Sequence, residues 1–186
     1  MRVSREQVAA NRARILEAAS ALFRARGYDA VTVADVMNAA GLTHGGFYGY
    51  FKSKDALIAQ TLAHVFSQGE TGSADLTHFA AGYLSPAHRD NVAAGCPTAA
   101  LGAETVRQTP EARAVMAEGL KKTIERFSAG LADEAAGEAR RKAIGAWSAM
   151  VGAVILARLI DDPALSDEVL EQTRAWIGDQ GVGNGA

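Results

Sequence analysis

The stretch that most constrains the fold runs from Thr32 to Leu57, TVADVMNAAGLTHGGFYGYFKSKDAL. Thr32-Val33-Ala34-Asp35 has the spacing of a capping box, in which a hydroxyl and a carboxylate satisfy free amides at a helix start. Val33, Val36, Met37 and Ala40 then share one helical face, and Gly41 breaks the helix after about two turns. Thr43 caps a second short helix, from His44 to Tyr50. Two short helices joined by a glycine turn make a helix-turn-helix, in which the second helix enters the DNA major groove while the first crosses the backbone. Thr32, Thr43, Tyr48, Tyr50, Lys52 and Lys54 surround that second helix, and their side chains reach phosphate oxygens in such a geometry.

The remainder keeps the same helical period. Val8, Ile15, Ala19, Leu22 and Phe23 form the stripe of a first helix that Gly27 ends in a left-handed cap. Ser53 opens a helix carrying Leu57, Ile58, Leu62, Val65 and Phe66. Gly69, Gly72 and Ser73 mark a break, Leu76 to Leu84 a short helix, and Ser85-Pro86 with Asp90-Asn91 a loop. Pro97 opens another helix, and Thr109-Pro110 the next, with Met116, Leu120, Ile124, Phe127 and Leu131 in its stripe. From Ala143 to Ile160 only Ser148 and Arg158 interrupt an apolar run that is just long enough to span a bilayer. Arg158 inside the run and amphipathic helices around it argue instead for a helix covered on both sides, by its own core and by a partner. Gly145 and Gly152 would let a second backbone approach. A final helix from near Asp162-Pro163 or Ser166 turns Leu165, Val169, Leu170, Trp176 and Ile177 to one side. The fold class is all-α.

Charge and cysteine content narrow the function. Residues 1–55 hold eight basic and five acidic side chains, a balance of +3, so the remaining chain carries −5 of the total −2. A positive head on an acidic body suits a polyanionic partner. The single cysteine, Cys96, forms no internal disulfide, and the N-terminus lacks the apolar stretch of a signal peptide, so the expected location is the cytoplasm. His64, His78 and His88 lack metal-ligand spacing, and no nucleophile elbow, phosphate loop or dinucleotide motif occurs. No metal, no cofactor and no enzymatic activity are expected. An enzyme on a helical scaffold is the remote alternative.

The chain resembles the TetR/AcrR family of bacterial transcription regulators. The likeness runs from Ile15-Leu16-Glu17-Ala18-Ala19 through Leu22-Phe23, Gly27-Tyr28, Thr32-Val33 and Ala40-Gly41-Leu42 to Phe47-Tyr48, Tyr50-Phe51-Lys52-Ser53-Lys54 and Leu57. It implies a three-helix DNA-binding domain over residues 1–52, a helical ligand-binding and dimerisation domain over 53–178 and a flexible tail over 179–186, about nine helices in all. It also implies a homodimeric repressor on a double-stranded DNA operator, released by a small-molecule effector, without a membrane partner. A regulator without an effector and an activator are the alternatives. Thr32, Thr43, Tyr48, Tyr50 and Lys54 fall on the family's DNA-contacting positions. His44, Gly45, Phe47 and Lys52 complete the expected DNA-binding set. The chain departs from the family pattern at His44, Gly46 and Gly49, and the three glycines Gly45, Gly46 and Gly49 weaken the helix and remove side chains that would read base edges. Specificity is then expected to lean on backbone approach and DNA shape.

Behind the reader, Phe66, Phe79, Tyr83, Cys96, Met116, Leu120, Phe127 and Trp147 are the expected ligand-binding residues. Core and pocket draw on the same residue types, so each is equally readable as packing. Cys96 precedes Pro97 at a helix start, where free amides favour a thiolate and a thiol-reactive effector becomes an option. The family's dimer forms through its last two long helices, residues 138–160 and 163–178 here, with Gly145, Val151, Gly152, Val154, Val169 and Trp176 as the expected interface.

Overall fold

The computed structural model describes residues 4–69 and 73–179, and every regular element among them is helical. The α-helices are α1 (Arg5–Arg26), α2 (Val33–Ala39), α3 (Lys54–Gly69), α4 (Leu76–Tyr83), α5 (Pro86–Asp90), α6 (Pro97–Thr105), α7 (Pro110–Ala129), α8 (Ala136–Leu159) and α9 (Pro163–Asp179). Short 3-10 segments lie at His44–Gly49 and Val92–Ala94. The tail expected from residue 179 lies, beyond Asp179, outside the described residues, as does Gly72.

The helices begin where local chemistry satisfies their first amides. Ser4 accepts from the Gln7 N–H, Ser53 from the Ala56 N–H, and Thr109 from the Ala112 N–H. Proline occupies the first turn of α5, α6 and α7, where its missing N–H costs nothing. The segment Ser85–Asn91 is a correction. It is not an open loop, because Ser85 caps α5 by accepting from the His88 N–H at 3.2 Å, and Asn91 then caps the following 3-10 turn. Serine-proline marks a turn and a helix start equally well.

Gly27 ends α1 at φ 79° and ψ 167°, with positive φ but an extended ψ in place of the left-handed helical cap. A Cβ there would sit 2.6 Å from a Glu104 carboxylate oxygen, so the turn also serves a close approach to α6. Gly41, at φ 66°, makes the expected break after α2.

Two cores form. The first joins Ile15, Leu16 and Phe23 of α1, Val36 and Met37 of α2, and Leu57, Ile58 and Leu62 of α3 to Leu101 of α6 and Ala112 and Met116 of α7. It therefore does not stop at residue 52; α3 packs on α1 and on α7, so the head is continuous with the body. The second core joins α4, the end of α7, α8 and α9.

By length and composition α8 would cross a membrane, yet Ala143, Trp147, Met150, Val154 and Ala157 are turned into the second core. Its other side leaves Ile144, Ile155, Leu156 and Leu159 exposed beside an open Gly145. Val154, expected at a dimer interface, is fully enclosed by its own protomer. In α9 the expected single stripe is split: Leu170 and Ile177 are buried, whereas Leu165 and Trp176 are exposed. Positions 165 and 170 are five residues apart, which at about 100° each places them on different faces.

Candidate nucleic-acid interface and ligand cavity

The segment from His44 to Gly49 is wound as a 3-10 helix, not the expected α-helix, with Gly46 N–H donating to Thr43 O and Tyr50 N–H to Phe47 O. Three glycines in six residues weaken the α form and leave the tighter turn competitive. Thr43 holds the N-cap position, but its side chain makes no capping bond.

Phe47 is the anchor of this segment. It is 0% exposed and packs on Phe51 with ring centroids 5.8 Å apart. That corrects its expected place among the DNA contacts, since a side chain enclosed by the head touches nothing outside it. Tyr48, the next residue, is 75% exposed and rests edge-on against Phe47. Thr43, His44, Gly45 and Lys52 are exposed around it, and Lys54 is half-buried.

Two further residues are held from behind. Asn11 of α1 donates to the Tyr50 hydroxyl at 2.9 Å and itself accepts from Gln7 at 3.0 Å. Sequence reasoning missed this support because Asn11 sits on a helix face that looks solvated. Thr32 remains exposed, but its hydroxyl is engaged in the capping box, donating to Asp35 Oδ2 and accepting from the Asp35 N–H. The Thr32 backbone N–H, donating to Asp35 Oδ2 at 2.8 Å, and then the Thr32 hydroxyl hold the Asp35 carboxyl below its ordinary pKa. Arg12, bonded to Gln60, lies over the Phe51 ring and braces the end of the reader against α3.

Below the head lies a cavity of about 670 Å³, partly open to solvent, a size typical of small-molecule sites. Phe66, Phe79, Tyr83, Cys96 and Trp147 line it as expected. Three expected residues do not. Met116 belongs to the first core, Leu120 bridges the two cores, and Phe127 is fully buried behind Phe79, 5.0 Å away edge to face.

The cavity also takes in charged residues that lie outside the expected ligand-binding set, among them Arg24 and Arg126. Arg24 donates to the carbonyls of Ser20 and Gly95, and Arg126 to the carbonyl of Gly69 while lying over the Phe79 and Phe127 rings. Burial pulls both guanidinium pKa values down.

His88 closes one side. Its Nδ1 donates to the Tyr83 carbonyl at 2.7 Å and its Nε2 accepts from the Cys96 N–H at 3.0 Å. A carbonyl only accepts and an amide only donates, so the neutral Nδ1–H tautomer is fixed. Burial, reinforced by Arg158, holds this histidine below its ordinary pKa. A lowered folded pKa gives stability that is present above the unfolded value and lost as pH falls through the folded one. Between pH 7 and 5 the parent should therefore lose melting temperature more steeply than His88→Gln; thermal melts across that range check it, and parallel curves would show that His88 contributes nothing.

Head and body meet at the end of α1. Besides the Arg24–Gly95 bond, the Tyr28 N–H donates to Glu104 at 2.8 Å, and the Tyr28 hydroxyl pairs with Thr105 at 3.0 Å. Burial raises the Tyr28 hydroxyl to about 12, so it stays a neutral donor.

An anchored turn presenting an exposed tyrosine, followed by lysines, gives a helix-turn-helix head on a helical body with its own cavity. Residues 15–61 match the family of bacterial regulatory proteins, tetR family. Over this N-terminal domain the chain is similar to TetR-family regulators. The transcriptional repressor KstR2 of Mycobacterium tuberculosis H37Rv is 39% identical over 56 residues, 30% of this chain and 28% of that one. The transcriptional regulator TtgR of Pseudomonas putida is 37% identical over 62 residues, 33% of this chain and 30% of its own length. These matches span less than a third of the relatives. Similarity of fold extends much further: Escherichia coli NemR in its reduced form has a TM-score of 0.75 at 22% identity, covering 91% of this chain and 96% of that one. A TetR-family regulator from Agrobacterium tumefaciens has a TM-score of 0.74 at 20% identity, covering 91% and 98%.

Proposed function

We propose that the protein is a cytoplasmic homodimeric DNA-binding regulator, a repressor, released from its operator by a small molecule or a thiol-reactive compound entering the cavity. The observation that carries this reading is the contrast between Phe47 and Tyr48, one fixing the turn in the core and the other projecting from it. Thr43, His44, Tyr48, Tyr50, Lys52 and Lys54 then contact the DNA, with Thr32 at the backbone and Gly45 allowing close approach. Few base-reading side chains stand on the turn, which puts weight on DNA shape. The 1–52 and 53–178 division is functional rather than a gap in packing, because α3 belongs to both sides of it. Ile144, Ile155, Leu156, Leu159 and Trp176 form an apolar surface that a second copy covers, with Gly145, Val151, Gly152 and Val169 at or beside the crossing.

An effector acts only by binding one state of the dimer better than the other, typically by about 1–3 kcal/mol. The route to the head is short here, since α3 and the Arg24 bond both join it to the cavity wall. A gel shift on the DNA upstream of the chain's own gene, with and without candidate effectors, tests the reading. Retarded DNA that an effector releases supports a repressor; no retardation of any duplex rejects DNA binding.

Cys96 is half-buried on the cavity wall, at the N-cap of α6 and next to Tyr83. With no second cysteine, its alkylation adds bulk to the wall directly. N-ethylmaleimide should release the parent from DNA and leave Cys96→Ser bound. Equal behaviour of the two proteins in the gel shift would make Cys96 packing and the effector non-covalent.

A further inference from the structure

The cavity is apolar in area but cationic in charge. Arg24 and Arg126 both line it, and among the described residues neither has a carboxylate within ion-pairing distance. Glu17, the acid that most influences Arg24, is engaged with His64, and Glu125, the one acid on the described cavity wall, is exposed and turned toward Lys121. Both arginines are half-buried and lean on backbone carbonyls, partners that carry no formal negative charge. Among the described residues the Nε of Arg126 has no hydrogen-bond partner.

The wall holds two more donors in the same condition. The Tyr83 hydroxyl and the Trp147 indole N–H are enclosed, and among the described residues neither reaches a hydrogen-bond acceptor of ordinary geometry; Cys96 lies beside the Tyr83 hydroxyl. Phe79 joins them, with ring centroids 5.5 Å from Tyr83 and 6.2 Å from Trp147. Buried donors without acceptors are uncommon, and a ligand oxygen satisfies them. Unpaired cations, unpaired donors and stacked rings together describe one kind of guest.

We propose that the cavity binds an organic anion, a carboxylate or sulfonate on an aromatic body, whose charge is taken by Arg24 and Arg126 and whose rings lie against Phe79 and Trp147. This rests on the effector role proposed for the cavity and names its ligand class. It also supplies a mechanism, because Arg24 belongs to α1 of the head while its bond to the Gly95 carbonyl fastens that helix to the body. An anion that draws the guanidinium away from Gly95 loosens the head without touching the reader.

Two dyes with the same rings separate charge from greasiness. The probes are 8-anilinonaphthalene-1-sulfonate and its uncharged relative N-phenyl-1-naphthylamine. Binding is read as quenching of Trp147 in the full chain carrying Trp176→Phe, so that the exposed α9 tryptophan gives no signal. The sulfonate should bind about ten-fold or more tightly than the neutral dye, as expected for charged hydrogen bonds. Arg24→Gln and Arg126→Gln should each remove most of that advantage and leave the neutral dye within about two-fold. Equal affinity of the two dyes for the unsubstituted arginine site overturns the proposal, whatever the variants do, as does sulfonate binding that survives both arginine substitutions. The titrations contain no DNA. A protein that prefers the sulfonate but shifts no duplex keeps the ligand class and loses the regulator reading, and a protein with the opposite results does the reverse.

Discussion

Phe47→Ala is expected to lower stability by about 3–5 kcal/mol, the cost of removing a fully buried phenylalanine. Tyr48→Ala, one residue along, should leave the melting temperature nearly unchanged. The difference follows from burial: Phe47 is wholly enclosed and stacked on Phe51, while Tyr48 is 75% exposed. Their effects on DNA should be reversed in kind. Phe47→Ala weakens binding by unfolding the head, so added stabilising osmolyte recovers part of it. Tyr48→Ala weakens binding to every sequence in a folded protein, and osmolyte recovers none. Circular dichroism melts paired with DNA titrations check both. Unaltered DNA affinity in Tyr48→Ala would remove this turn from the interface.

A single acidic residue on the uncovered side of α8 should have a comparably large effect through assembly. Leu156 and Leu159 are 53% and 73% exposed in the protomer, and Trp176 of α9 is 46% exposed. Leu156 and Leu159 are neighbours at i,i+3 on α8, and exposed apolar groups of this size mark an interaction surface. Leu156→Glu should therefore give a folded monomer by light scattering, and DNA affinity should fall by about 10²–10⁴, because two linked heads bind far more tightly than one. Val154→Glu, two positions earlier, should instead unfold the protein, since that side chain points into its own core and a buried carboxylate there has no partner. A dimer of unchanged mass in Leu156→Glu would reject the face.

These contrasts also show what the sequence could and could not tell. Helix periodicity located most elements because buried residues recur at helical spacing, as Ile15, Ala19 and Phe23 do. Capping chemistry was equally local, so the Thr32–Asp35 box was legible. Which face of an all-apolar helix turns inward is not local. Val154 and Leu156 look alike in sequence, and only the crossing of α8 with α7 and α9 separates them. Phe47 and Tyr48 presented the same problem in the reader, where an aromatic pair was legible but its inner and outer members were not. The arginines of the cavity wall were hidden for another reason: Arg24 and Arg126 sit on helices that carry charge, and long side chains reach inward from such helices. The union of the head core with α6 and α7 depended on contacts between distant segments, such as Tyr28 with Glu104 and Thr105, that no spacing rule anticipates.

The central claim is that the turn around Tyr48 reads DNA from a dimer. Selection from random duplexes with the purified protein, followed by anisotropy titration of the enriched sequence at stepped salt, tests it most directly. The expected result is a palindromic site bound by two protomers, tighter than unrelated DNA by about 10³-fold or more, with affinity falling steeply as salt rises. In Tyr48→Ala that affinity should collapse at every salt concentration. Failure to enrich any sequence, or equal binding of enriched and unrelated duplexes by both proteins, would contradict the account.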